Sequence, residues 1–504
     1  MRQSLHTLLS ALLSVLTRTL RNPIEAALWY AGVTLARFGY VDRHRVDRTT
    51  ELAWPRIVTG IARMSKSVAD LAMVGAVLGS GAVAGIGLAT PFAFLAGTLG
   101  GGIAGGTIAL VSQRYGAGRY DELDLVVKQS VWLTALVTLP LMVVFLVFPS
   151  ELIGLIATDP EMHTYGTIYL QVMSVGTIFM GLNLIGSRTL VGADDSYAAM
   201  VVRGSGAIAN IALNVVFIFG LGLGVAGAAL GSVLANVLVT GLFVYGFLGG
   251  RVPFAGHFPV TVSLSGPYVD RDLIRDLVEI STPITLTNLT WSTAQFPILA
   301  VIAVFGAEVV AAFIIAQRVR GLMDTPSWGL GLASSSLVGQ ELGRARELEA
   351  DAYGQDILRI TVAVYLVVAA VVFVFAEPVA AVFVAEGDSL SLTTVFVQVA
   401  ALSVIFNGLN GAASGPLTAS GDTRWPFYGR VLGLYGAALP AAYLAGTALT
   451  IPGLGTIPAL GIGALYAALV LETLVPAAVT CHRFSTGKWR VISRSYRPEG
   501  VAAD

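Results

Sequence analysis

Leu110-Val-Ser-Gln-Arg-Tyr-Gly-Ala-Gly-Arg-Tyr-Asp-Glu-Leu-Asp124 and Leu337-Val-Gly-Gln-Glu-Leu-Gly-Arg-Ala-Arg-Glu-Leu-Glu-Ala-Asp351 are two versions of one stretch. They lie 227 residues apart and share Leu, Val, Gln, Gly, Arg, Glu and Asp at the same places. The register holds without a gap from about residue 74 to residue 195. Gln171, Val172, Ile178, Phe179, Gly181, Leu182 and Asn183 meet Gln398, Val399, Ile405, Phe406, Gly408, Leu409 and Asn410, and Asp195 meets Asp422. Shared hydrophobicity supplies matching Leu and Val. It does not supply aligned Gln, Asn, Arg, Glu and Asp, so the chain is an internal duplication.

Both copies are embedded in apolar sequence. Of 504 residues 55% are apolar and 12% charged, against about 25% charged in soluble proteins. The 57 glycines are spread through apolar runs, as membrane helices tolerate. A net charge of -1 leaves no basic excess to neutralise phosphates, which excludes nucleic acid as a partner. One cysteine, Cys481, and five dispersed histidines (His6, His44, His163, His257 and His482) give no disulfide framework, metal site or cofactor.

Crossing about 30 Å of hydrocarbon takes roughly 20 apolar residues. Twelve stretches qualify: 53–78, 83–112, 127–149, 164–187, 198–220, 225–249, 277–304, 309–337, 357–376, 390–414, 425–450 and 459–481. The loops between them alternate in charge. One set holds Arg43, Arg45 and Arg48; Arg114, Arg119 and Lys128; Arg188 and Arg203; Arg251, Arg271 and Arg275; Arg344, Arg346 and Arg359; Arg424 and Arg430; and Arg483, Lys488, Arg490, Arg494 and Arg497. The other set carries no Lys or Arg. The positive-inside rule then predicts a multi-pass cell-membrane protein with both termini cytoplasmic.

The fold expected is all-α and polytopic, with twelve transmembrane helices in two six-helix lobes. Six is even, so both copies insert in the same sense and a pseudo-two-fold axis runs along the membrane normal. Such repeats place substrate between the halves and work by rocking. The expected domains are 1–50, amphipathic surface helices; 51–250, the N-lobe; 251–276, a hinge-like inter-lobe loop with Pro253, Pro259, Gly266 and Pro267; 277–483, the C-lobe; and 484–504, a cytoplasmic tail. In the first segment Leu5, Leu8, Leu9, Leu12, Leu13, Leu16 and Leu20 recur at helical spacing, continued after Pro23 by Ile24, Ala27, Leu28, Ala31, Leu35 and Phe38. A signal peptide competes with this reading, but Arg18 and Arg21 stand where small residues should allow cleavage.

The Gly-rich ends of the second and eighth spans, Gly106–Gly118 and Gly331–Gly343, lack the Gly-Lys-Ser/Thr of a P-loop. Close packing through small residues explains them better. The chain resembles the MATE (multidrug and toxic compound extrusion) family of the multidrug/oligosaccharidyl-lipid/polysaccharide flippase superfamily. The residues that carry this are Pro55 and Asp70; Leu110-Val-Ser-Gln113 with Gly116-Ala-Gly118; Asn210-Ile-Ala-Leu-Asn214; Gly224-Val-Ala-Gly-Ala-Ala229; Pro283; Leu337-Val-Gly-Gln340; and Gly421-Asp-Thr-Arg-Trp-Pro426. The resemblance spans about residues 50–485. It implies two lobes forming a V and ion-driven export of drugs, toxins or metabolites in exchange for H+ or Na+, by a chain expected to act as a monomer in the lipid bilayer. One departure is Asn214, where many members of the family have Asp.

Charges inside spans are costly and usually functional. Asp70 matches the family's N-lobe acid, with Lys66 four residues and Arg63 seven residues before it on about one helical face. Asp70 either accepts H+ or Na+ in competition with Lys66, or is merely neutralised by it. Asn183, Asn210 and Asn214 either supply amide oxygens for Na+ or hydrogen bonds to Asp70, or only hold the lobe together. In the second lobe Gln317, Arg318, Arg320, Asp324, Asn407 and Asn410 are cavity candidates. Arg320 and Asp324 are spaced to pair, and Arg318 has no local partner. Trp291, Phe296, Trp328 and Tyr435 face either an apolar cavity or lipid. Counting Arg63, Lys66, Asp70, Arg318, Arg320 and Asp324 gives +2, which predicts that anionic or zwitterionic amphiphiles are handled better than cations. A lipid-linked oligosaccharide flippase and a major facilitator transporter are the alternatives. A membrane enzyme is remote, because the spans hold no carboxylate pair or nucleophile–base arrangement.

Overall fold

The computed structural model describes residues 22–498 except 158, 385–386, 448, 452–454 and 458. The Leu5–Leu20 helix expected from sequence and the last tail residues lie outside them. Helix α1 (Pro23–Arg37) is capped by Asn22, whose side chain accepts from the Glu25 amide. The first lobe follows as α2 (Arg43–Leu78), α3 (Ser80–Gly116), α4 (Tyr120–Val147), α5 (Pro160–Ser174), α6 (Gly176–Gly192), α7 (Ser196–Asn214) and α8 (Gly224–Phe247). The second comprises α9 (Arg271–Ala303), α10 (Ala307–Met323), α11 (Thr325–Gly343), α12 (Glu347–Val374), α13 (Asp388–Ala419), α14 (Arg424–Val431), α15 (Leu439–Gly446) and α16 (Ile462–Ser485). A two-stranded hairpin, Leu449–Ile451 with Gly455–Ile457, precedes α16. The short helix α17 (Lys488–Ser493) follows it.

Among the described residues, seven helices are long and apolar enough to span alone, and α5 with α6, bent by 50°, makes an eighth. The other four expected spans carry visible interruptions. Helix α2 holds Arg56, Arg63, Lys66 and Asp70, and α9 contains Pro283 and Pro297. The 309–337 stretch breaks at Asp324, and the 425–450 stretch opens into a π-helical segment, Leu432–Ala438, between α14 and α15. A second π-helical segment, Val215–Gly220, continues α7 just past Asn214. With these interruptions the fold is all-α, with twelve spans in two six-helix lobes.

The duplication is visible in the backbone. Gly79 and Gly306, Gly118 and Ala345, and Asp194 and Gly421, each pair 227 apart, all have positive φ. At two of these three turns one copy keeps the left-handed conformation without glycine, at Asp194 and Ala345, a geometry that costs an L-residue about 1–2 kcal/mol. The two copies also meet each other at equivalent places. A Cβ on Gly116 would collide with the Gln340 carbonyl, and a Cβ on Gly343 with the Gln113 carbonyl. This reciprocal contact sits at the ends of α3 and α11, where the pseudo-two-fold axis passes between the lobes.

The loops rich in Arg gather on that same face. Arg45 bridges Glu349 and Asp356 of the other lobe at 3.0 and 2.7 Å. Arg48 pairs with Asp194, and Arg424 with Glu279 at 2.8 Å. The inter-lobe segment is not the hinge-like loop expected. Phe258 and Val260 are buried with Phe243 and Phe247, and the amide of Ser263 donates to Asp124. Lys128 and Gln129 donate to the Ser265 and Asp270 carbonyls. The segment is therefore docked on the first lobe, because its apolar residues found a core. The tail docks similarly. Trp489 is fully buried and stacks on Phe484, while Arg494 and Arg497 both bind Glu347.

Candidate functional site

Asp70 lies about three-quarters of the way along α2, where Val74 packs against Ile218 and Val225. Its carboxylate Oδ2 accepts from Lys66 Nζ at 2.8 Å, and its Oδ1 accepts from Asn214 Nδ2 at 2.7 Å. The i,i+4 spacing on a helix presents Lys66 to Asp70 without further help. Lys66 also reaches Ser232 Oγ at 3.4 Å. Asn210, one helical turn before Asn214, is fully buried and bonds Ser232. With its amide turned the other way, Asn210 donates to Asp70 Oδ1 at 2.8 Å and accepts from Ser232 Oγ and N. Both amides therefore belong to the Asp70 shell. Room for Asn214 is made by Gly231, since any Cβ there would collide with Asn214 Oδ1. That oxygen is buried with no hydrogen-bond partner.

Asn183 does not reach Asp70. It donates to Asn236 and accepts from Thr240, and it joins the cluster only through Asn236, which bonds the Ser232 carbonyl. Helix α8, which carries Ser232, Asn236 and Thr240, stands between them.

In the second lobe the expected Arg320–Asp324 pair does not form. Arg320 binds Glu472 of α16 through both terminal nitrogens, at 2.9 and 3.3 Å, with both side chains buried. Asp324 instead accepts from Asn407 Nδ2 at 2.7 Å. The reason lies in the helix. Pro326 has no N–H to continue the ladder, and Thr325 Oγ1 takes the Leu322 carbonyl. Tyr365 of α12 then inserts its hydroxyl into the next rung, donating to the Met323 carbonyl at 3.1 Å and accepting from the Ser327 amide at 2.8 Å. Asp324 thus sits at a wedge-opened break between α10 and α11 and not on a continuous helix face. Asn410 accepts from Thr480 at 3.1 Å. Arg318 is exposed, Gln317 partly so, and neither has a hydrogen bond or ion pair among the described residues.

Of the aromatic candidates, Trp328 packs under the guanidinium of Arg63, 4.8 Å from the ring centroid, which is a contact between the lobes. Tyr435 bonds Thr293 of α9 at 2.8 Å, while Trp291 and Phe296 are exposed. Sequence reasoning missed Glu472 and Arg56, and read Arg188, Arg203 and Arg430 as loop charges. Arg56, Arg63, Arg188 and Arg203 lie within electrostatic reach of one another, as Arg430 does of Asp324 and Glu472. The count of +2 is therefore corrected. The interior of the second lobe balances, Arg320 and Arg430 against Asp324 and Glu472. Lys66 balances Asp70, and four arginines of the first lobe remain.

A two-lobed membrane bundle with a half-buried acid in one half and an inter-lobe contact on one face is the architecture of a transporter. The MatE family pattern matches twice, over residues 55–216 and 283–444, and the chain belongs to that family. The probable multidrug resistance protein YoeA of Bacillus subtilis is 24% identical, over 77% of this chain and 84% of its own length. The probable multidrug resistance protein NorM of Thermotoga maritima is 23% identical, over 78% and 84%. A crystal structure of MATE in complex with MaL6 superimposes with TM-score 0.78 and 22% identity, covering 88% of this chain and 96% of that one. An outward-facing multidrug resistance MATE transporter superimposes with TM-score 0.76 at the same identity and coverage.

Proposed function

We propose that this chain exports organic compounds in exchange for protons, by rocking of its two lobes, with Asp70 as the coupling group. The arrangement of Lys66, Asn214 and Asp70 carries the reading. Ionised Asp70 holds Lys66 on one oxygen and Asn214 on the other. A proton on the carboxyl cancels the attraction for Lys66 and turns one oxygen into a donor, so α2 and the start of the π-helical segment after Asn214 lose their electrostatic tie. Protonation and the shape of the first lobe are thereby linked. Na+ is the alternative ion. The carboxylate, Ser232 Oγ and the unpartnered Asn214 Oδ1 are suitable oxygens, but the Lys66 ammonium already stands 2.8 Å from Asp70, and a second cation there is repelled.

The Gly116–Gln340 and Gly343–Gln113 contacts and the Arg45 salt bridges lie on the arginine-rich face, which the positive-inside rule places in the cytoplasm of a cell-membrane protein. This is the arrangement of a cleft open to the outside. One chain encloses its own cleft, so a monomer suffices. The test is efflux or uptake of cationic, neutral and anionic dyes in proteoliposomes under separately imposed gradients. Transport driven by a proton gradient alone is expected. Transport that needs Na+ and ignores pH overturns proton coupling. Orientation has its own test at Cys481, the single thiol. A membrane-impermeant maleimide should label it only after cells are permeabilised, and efficient labelling from outside reverses the topology.

A further inference from the structure

Among the described residues, four arginines of the first lobe have no counter-ion. Arg56 and Arg63 stand seven residues apart on one face of α2, Arg188 is in the last turns of α6, and Arg203 in the second turn of α7. Helix α7 packs against both α2 and α6. The four guanidiniums lie within electrostatic reach of one another. No ion pair joins any of them to a carboxylate among the described residues, whereas Arg45, Arg48, Arg320 and Arg483 all have one. The buried Nε atoms of Arg56 and Arg203 have no hydrogen-bond partner. Arg63 is exposed and lies on Trp328 of the opposite lobe, which places the cluster at the inter-lobe surface.

Bringing four like charges together is unfavourable, and nothing among the described residues offsets it. The offset must come from a ligand of several negative charges. A guanidinium presents paired N–H groups that match phosphate oxygens two at a time. Several arginines can surround one phosphate or pyrophosphate, and a monocarboxylate could offset only one of them.

We propose that Arg56, Arg63, Arg188 and Arg203 form the binding site for a phosphate or pyrophosphate group on the transported compound, with Trp328 closing it from the second lobe. This deepens the export reading by naming a substrate class, and it rests on that reading for transport but not for binding. The phosphate is carried either by a lipid headgroup or by a soluble phosphorylated compound.

Binding to the purified full-length chain in nanodiscs of neutral phosphatidylcholine tests this. The probes are a fluorescent short-chain phosphatidic acid, inorganic pyrophosphate as competitor, and the lipophilic cation rhodamine 6G. Phosphatidic acid should bind at least ten-fold more tightly than the cation. Arg203→Gln and Arg63→Gln should each weaken it about ten-fold or more, the range for losing a hydrogen bond to a charged group, while the exposed loop variant Arg251→Gln leaves it unchanged. Arg203→Lys, which keeps the charge, should weaken it less than Arg203→Gln, and this holds the test open where the Gln variant melts early. Full competition by pyrophosphate assigns a soluble phosphate compound, and absence of competition assigns a phosphate on an apolar tail. A cation bound as tightly as phosphatidic acid, or undiminished binding in folded Arg63→Gln and Arg203→Lys, overturns the site. Asp70→Asn should bind phosphatidic acid as the wild type does, so that failure of coupling and failure of this site are read separately.

Discussion

At the scale of single residues, the Asp70 site makes a clear demand on chemistry. Asp70→Asn keeps the size and the hydrogen bond with Asn214 but removes both charge and the proton site. Substrate binding should survive while gradient-driven export falls at least a hundred-fold, measured in the same proteoliposomes as the wild type. Export at the wild-type rate would move the coupling group elsewhere, most simply to Asp324. Outside the membrane, Asp276 at the start of α9 makes a second demand. Burial raises its carboxyl to about 6, partly opposed by Arg114. An acid whose pKa is raised on folding binds protons more tightly folded than unfolded, so stability drops as pH rises from about 4 to 6 and stays lower above. Asp276→Asn should therefore raise the melting temperature at pH 7.5 and change it little near pH 4. The reverse pattern would mean that Arg114 dominates. Lys66 and Asp70 were legible in sequence because i,i+4 spacing and an intramembrane acid announce themselves locally, whereas Asn214, 144 residues from Asp70, entered only through the family resemblance. Glu472 was not, because its partner Arg320 is 152 residues away. Arg188 and Arg203 were not, because a charge within two or three turns of a helix end is indistinguishable in sequence from a loop charge.

At the scale of elements, the break between α10 and α11 has a physical cause that can be removed. Pro326 deletes one rung and the Tyr365 hydroxyl occupies the next, holding apart the Met323 carbonyl and the Ser327 amide. Tyr365→Phe leaves these two groups free to bond each other and straighten the helix, or leaves them unpaired at a cost of about 1–3 kcal/mol. Either outcome moves Asp324 relative to Asn407. The expected result is a lower melting temperature together with a changed pH profile of export. An unchanged pH profile would show that the break is only structural. The twelve spans were legible because twenty apolar residues are a strong signal. The break was not, since a proline in the middle of an apolar run reads equally as a kinked, continuous helix. The inter-lobe segment was misread for a related reason. Its prolines and glycines suggest a flexible loop, whereas Phe258 and Val260, buried against Phe243 and Phe247, decide its position.

At the scale of the whole molecule, the duplicated stretch that defines the fold also controls which face is closed. Gly116 and Gly343 are equivalent by the repeat, and each admits the backbone carbonyl of a residue in the other lobe, Gln340 and Gln113. The obstacle to a side chain there is backbone on the opposing helix, so relief requires the lobes to part. Nearby, Ser336 Oγ donates to the Val191 carbonyl at 2.6 Å and Gln113 Nε2 to the Ala419 carbonyl at 2.6 Å, and parting the lobes strains both. Overpacking of this kind costs about 1–3 kcal/mol, which is enough to shift a two-state equilibrium between the outward-open and inward-open arrangements by roughly five- to 150-fold. Gly116→Ala, and more strongly Gly116→Ala with Gly343→Ala, should favour the arrangement open on the arginine-rich face. Spin labels at Arg119→Cys and Arg346→Cys in a Cys481→Ser background report the separation there. The distance distribution should move to longer values in the single variant and further in the double, with export slowed because the outward-open arrangement is depleted. A distribution that stays at the wild-type distance in the double variant, with the protein still folded, would mean that this contact does not gate the cleft. The salt bridges of Arg45 to Glu349 and Asp356 would then be the next ties to cut.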